Sequence, residues 1–172
     1  NAYDTVCHEH LEYYGLEQIR WMAQRAGLKI VHVAENNVNG GSFAVTLAHA
    51  ASSHPPATAE ADAMLATERD LGLDAFAGFR SRIEGHREEL IATLRDLRDR
   101  GQRVIGYGAS TKGNVILQYC GITPELLPCI AEVNEEKFGC VTPGSHIPIV
   151  SEAQARAMRP DCFLVLPWHF KE

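Results

Sequence analysis

Two short segments of this chain bring together the residue types that chemistry needs. The first is Cys7-His-Glu-His10, where a thiol, two imidazoles and a carboxylate are consecutive, with Tyr13 and Tyr14 close behind. Histidine is the side chain best matched to proton removal near neutral pH, and a neighbouring carboxylate can bias its tautomer or its charge. His10 is therefore the candidate base and Glu9 its candidate partner. Two other readings stand beside this one. Metal binding would need ligands at helical or hairpin spacing plus a distant pair, and His8 and His10 point in opposite directions if the segment is extended. A purely structural cluster of surface histidines would need no chemistry at all. His32, His49, His54 and His86 occur singly and read as structural.

The second segment is Val104-Ile-Gly-Tyr-Gly-Ala-Ser-Thr-Lys-Gly-Asn114, in which an apolar run empties into glycines and small hydroxyl residues and then into a helical pattern. A strand that ends in glycines lets backbone N–H groups approach an anion, and the following helix adds unpaired donors and a positive dipole end. Gly108, Ser110, Thr111, Lys112 and Gly113 are the candidate contacts to a diphosphate, with Lys112 supplying a mobile charge. The spacing is not that of a P-loop, because Asn114 follows Gly113 where serine or threonine is required. It also falls short of a dinucleotide fingerprint, since Thr111 occupies the third glycine position. An ordinary strand-to-helix turn would carry the same residues.

The elements that must position these segments follow from periodicity. Leu16, Ile19, Met22, Ala23 and Ala26 recur at helical spacing with Gly27 as a stop, and strands at 29–34 and 42–48 flank an Asn- and Gly-rich turn. Ser52-Ser-His-Pro-Pro56 breaks regular structure and marks a domain boundary, giving residues 1–52 and 53–172. Helices are expected at 59–71 and 76–100, followed by strands at 103–107, 129–133 and 162–166 alternating with helices at 112–120 and 151–158. Such alternation implies an α/β fold with a parallel, right-handed sheet. Ligands of these sheets sit at the carboxyl ends of strands, which gathers 106–113, 132–135 and 167–169 around one crevice. Glu132 would lie where an acidic residue meets a ribose, or would simply be a solvated strand end.

Composition narrows the function classes. A chain of 172 residues with 45% hydrophobic and 22% charged residues is globular. A net charge of −6 without a run of Lys and Arg argues against a nucleic-acid reader. Five cysteines at irregular spacing indicate neither a disulfide framework nor a zinc knuckle, so a reducing cytoplasm is the expected setting. No apolar run is long enough for a membrane span, and the first residue is Asn1, so the chain reads as part of a larger protein.

Taken together, four segments make the chain resemble a known family: Asp4-Thr-Val-Cys-His-Glu-His-Leu-Glu-Tyr-Tyr14, Asn39-Gly-Gly-Ser-Phe43, Gly106-Tyr-Gly-Ala-Ser-Thr-Lys-Gly-Asn114 and Thr142-Pro-Gly-Ser-His-Ile-Pro148. It resembles the S-adenosylmethionine-dependent C-methyltransferases of nucleotide-linked deoxysugars, especially the sugar 3-C-methyltransferases of antibiotic biosynthesis. The resemblance implies three domains: an N-terminal zinc-binding module, a middle methyltransferase domain and a C-terminal α/β domain, with the sugar nucleotide between the last two. On that reading residues 1–52 are the helix and antiparallel strand pair that end a class I methyltransferase domain. Residues 53–172 are then a Rossmann-like, sugar-nucleotide-binding domain. Zinc is expected only in the module that would precede this chain, and S-adenosylmethionine mostly outside it, so the chain alone would be inactive.

The resemblance assigns the base to His10, with Glu9 beside it, and Cys7 stands where the family has a tyrosine. Cys7, His8 and Asn39 join the loop residues as candidate substrate contacts. The implied reaction removes the proton beside a 4-keto group of a dTDP-linked sugar, and the enolate carbon attacks the methyl donor. Two alternatives remain: a non-catalytic module that binds a nucleotide or nucleotide sugar, and a glycine-rich loop that with Glu132 holds NAD or S-adenosylmethionine itself.

Overall fold

The computed structural model describes residues 2–38 and 41–168. They form two compact units, one of Leu11–Arg80 and one of Ala2–His10 with the residues from Ser81 onward. The division falls inside a long helix and not at the expected 52/53 boundary. Packing explains the difference. Ala61 and Leu65, just beyond the two prolines, share a core with Leu16, Ile30 and Val33, so the first turns of that helix belong with the strand pair.

In the first unit, helix α1 (Leu16–Arg25) begins where the N–H groups of Leu16 and Glu17 donate to the Glu68 carboxylate. An acid at this end complements the positive pole of the helix dipole. The helix stops at Gly27, whose φ of 70° lies in the left-handed region that favours glycine. Strands β1 (Leu28–Asn36) and β2 (Ser42–His49) pair antiparallel, with a register irregularity between Ile30 and His32. Helix α2 spans Thr58–Asp99 and is interrupted at Gly72, where φ is 50° and ψ is −176°. The two helices expected at 59–71 and 76–100 are thus the two helical segments that meet at the Gly72 kink.

The second unit is the parallel α/β sheet that the alternation implies. Its elements are β3 (Val104–Tyr107), α3 (Thr111–Cys120), β4 (Ile130–Glu132), β5 (Ile149–Ser151), α4 (Glu152–Ala157) and β6 (Cys162–Val165). The order is β5-β4-β3-β6, all parallel. One face packs Leu94, Leu117, Ile122 and Leu127, and the other packs Ile105 and Ala131 against Ala155. Strand order reverses beside β3, so the carboxyl end of β3 is the switch point where Rossmann-like sheets open a crevice. Strand β5 was not anticipated; it is only three residues long and follows Pro148 directly.

Residues 2–10 join this second unit through specific contacts. The Tyr3 hydroxyl lies 3.1 Å from His86 Nδ1, and the Tyr3 ring sits 5.3 Å from that of Tyr119. Asp4 is 1% exposed and accepts a 2.7 Å hydrogen bond from the Trp168 indole N–H. Among the described residues, no helix is long and apolar enough to cross a membrane.

Candidate functional site

The crevice at the end of β3 is built by close approach, and its glycines serve packing. A Cβ on Gly108 would stand 2.7 Å from Pro167, and one on Gly113 would stand 2.6 Å from the Leu166 Cβ. Gly106 likewise leaves room for Ile130, whose Cγ1 would be 2.8 Å from an added Cβ. The segments 106–113, 132–135 and 167–168 therefore do meet, but by packing on one another. His169 lies outside the described residues.

The loop's donors are also engaged from within. Ala109 N–H donates to Glu132 Oε2 at 2.9 Å, while Val133 and Asn134 N–H groups donate to Oε1 at 2.7 and 3.1 Å. Lys137 Nζ reaches Oε2 at 3.4 Å and the Ala109 carbonyl at 2.9 Å. Burial alone would raise the Glu132 pKa, but these donors outweigh it, and the carboxyl is held below its usual range. Glu132 is 8% exposed. It is thus neither a solvated strand end nor a ribose ligand: it is the anion of the loop. Ser110 caps α3 by accepting from Gly113 N–H at 3.0 Å, and Lys112 Nζ is buried without a partner. The protein's own groups thus meet several of the loop's donors, while Lys112 Nζ meets none among the described residues.

A different opening unites the two segments singled out by sequence. A cleft of about 340 Å³ has Cys7 and His8 on one wall and Thr111, Asn114, Gln118 and Tyr119 on the other. The second wall is one stripe of α3, because residues three, four, seven and eight apart share a helix face. No carboxylate, ammonium or guanidinium lines the cleft. At its Tyr119 end the Arg87 guanidinium stands 5.7 Å from the ring centroid. Below it, burial and the Cys120 thiol push the Tyr3 phenol well above the ordinary tyrosine range, which keeps it protonated.

His10 is exposed and lies just past this cleft in sequence. Its Nδ1 is 2.6 Å from the Thr5 carbonyl oxygen. A carbonyl only accepts, so Nδ1 carries the proton and, in the neutral ring, Nε2 carries the lone pair. The tautomer that sequence reasoning gave to Glu9 is set by backbone. Glu9 is exposed and makes no hydrogen bond to His10. Of the sequence-nominated contacts, Cys7, His8 and Thr111 converge; Gly108, Ser110, Lys112 and Gly113 serve the loop, and Asn39 lies outside the described residues. Asn114, Gln118 and Tyr119 were missed, although their spacing from Thr111 marks them as one face. Among the described residues no group of His, Cys, Asp and Glu is placed to hold a metal ion.

The parallel sheet and the antiparallel strand pair make an α/β, Rossmann-like domain of methyltransferase type. The chain belongs to the family described as C-methyltransferase C-terminal domain, which matches residues 37–172. C-methyltransferase NovU of Streptomyces niveus is 37% identical to it over 175 residues, in an alignment taking in 99% of this chain. That alignment spans only 41% of NovU, so the chain is less than half the length of its curated relative.

Proposed function

We propose that the whole protein transfers a methyl group to a carbon of a nucleotide-linked 4-keto-deoxysugar, and that this chain supplies the base and one wall of the sugar-nucleotide site. The observation that carries this reading is the convergence of Cys7 and His8 with Thr111 on one cleft, two residues before a histidine with a defined tautomer. The unit of Leu11–Arg80 is then the tail of the methyltransferase domain. Zinc and most of the methyl-donor site belong to other parts of the protein.

The 4-keto group acidifies the neighbouring C3–H, and His10 Nε2 takes that proton to leave an enolate. As the ring becomes cationic, the Thr5 carbonyl accepts a stronger hydrogen bond from Nδ1–H, which stabilises the imidazolium. Cys7 and His8 flank the sugar, and Glu9 holds one of its hydroxyls. S-adenosylmethionine, held elsewhere in the enzyme, supplies the electrophilic methyl.

The test uses the full-length enzyme in D₂O with a dTDP-linked 4-keto-deoxysugar and no methyl donor. Wild type should wash deuterium into C3, and His10→Asn should slow that exchange by about 10²–10⁴-fold while sugar-nucleotide affinity stays within a few-fold. Exchange at the wild-type rate in His10→Asn would remove His10 as the base. Absence of methyl transfer to any 4-keto nucleotide sugar by wild type would remove the substrate class.

A further inference from the structure

The Thr142-Pro-Gly-Ser-His-Ile147 turn has no part in the chemistry above, yet it is tightly built. Thr142 Oγ1 lies 2.7 Å from Ser145 Oγ and accepts from Ile147 N–H at 2.9 Å, and both hydroxyl residues are buried. The turn presents the Pro143 carbonyl to α3, where Gln118 Nε2 donates to it at 3.0 Å. Gly144 has a φ of 74°, and a Cβ there would stand 2.9 Å from the Gln118 carboxamide carbon. The turn thus grips one side chain, and that side chain lines the cleft.

The grip decides which way the amide faces. A peptide carbonyl offers only an acceptor, so the nitrogen of Gln118 must meet Pro143 and the oxygen must be the other atom. Gln118 Oε1 has no partner among the described residues and is left as a fixed acceptor. With it in the cleft lining are the Tyr119 ring and the Asn114 amide. A phosphate would meet the negative end of the Gln118 dipole. A flat, uncharged ring with an N–H or O–H on its edge finds a ring face and an acceptor, in a volume at the lower end of the 300–1,000 Å³ usual for small-molecule sites.

We propose that Gln118, oriented by the Thr142–Ile147 turn, binds an uncharged ring of the substrate through its carbonyl oxygen. The proposal rests on the sugar-nucleotide reading above and assigns the cleft to the nucleobase.

Calorimetric titration of the full-length enzyme tests it, with thymidine, methyl α-D-glucopyranoside and inorganic pyrophosphate as probes. Thymidine should bind, and binding of the pyranoside in its place would overturn the proposal. Gln118→Leu should weaken that ring about tenfold, the worth of one hydrogen bond, without changing pyrophosphate affinity. Gly144→Ala should reproduce the loss by displacing Gln118, although residue 144 is not part of the cleft lining. Gln118→Leu on the exposed helix surface decides the matter if Gly144→Ala unfolds. Binding of neither ring, ring affinity unchanged in Gln118→Leu, or a parallel loss of pyrophosphate affinity would each overturn the proposal. A methyl-transfer assay on the same preparation separates the two readings. Wild type that binds a ring through Gln118 but methylates no nucleotide sugar refutes the activity and leaves the cleft assignment standing.

Discussion

Glu132 stands where a glycine-rich loop has room for an anion, and three backbone N–H groups and Lys137 converge on it. Its carboxyl is held below the usual range, so the unfolded chain takes up the proton first as pH falls. The stabilisation is complete well above the unfolded value of about 4.3 and is lost as pH drops through the lower folded value. Urea denaturation at a series of pH values should therefore find Glu132→Gln about 1–3 kcal/mol less stable than wild type at pH 7, because a buried N–H loses its acceptor. The gap should close towards pH 3. A gap that stays constant across that range would mean that the charge of Glu132 contributes nothing.

At the scale of elements, α3 is the piece on which both the loop and the cleft depend. Gly113 sits in its first turn, where an added Cβ would be 2.6 Å from Leu166 Cβ and 3.0 Å from Ser110 Oγ. Neither neighbour is the far end of a flexible side chain, so Gly113→Ala must move the helix, at about 1–3 kcal/mol. Gly85, in α2 with open space around its Cα, is the contrast: Gly85→Ala should stabilise by about 0.4–1 kcal/mol through the unfolded chain. Equal effects from the two substitutions in thermal unfolding would defeat this account of α3 packing. These elements were largely legible in the sequence. Helical spacing from Leu16 with Gly27 as a stop, the strand pair, and the strand–helix alternation after Arg103 all correspond to observed elements. Strand β5 was not legible, since three residues carry no periodicity. The inward use of Glu132, the grip of Pro143 on Gln118 and the membership of residues 2–10 in the second unit were also invisible. Each depends on a contact between segments distant in sequence, which local spacing does not encode. In the glycine-rich loop, glycines that admit a phosphate and glycines that admit Leu166 or Pro167 look the same as letters.

At the scale of the whole molecule, the segment bearing His10 belongs with the sheet unit, even though residues 11–80, which form the other unit, intervene in sequence. The tie that places it there runs from Asp4 to Trp168, near the two ends of the described chain. Asp4 is 1% exposed, with Oδ2 bonded to the indole N–H and Oδ1 buried without a partner among the described residues. A buried carboxylate with one satisfied oxygen is an expensive anchor, because the unpaired atom has surrendered its water. What Trp168 requires is an acceptor, not a charge. Asp4→Asn keeps an amide oxygen for the indole and removes the charge, so it should be at least as stable as wild type in urea denaturation at pH 7. Asp4→Ala removes the acceptor and should lose about 1–3 kcal/mol. The same variant should loosen the segment leading to His10, and limited chymotrypsin digestion should then cut sooner at the exposed Leu11, Tyr13 and Tyr14. If Asp4→Asn were as damaging as Asp4→Ala, the charge itself would be the anchor, and the buried Oδ1 would have to find a cation in the complete protein.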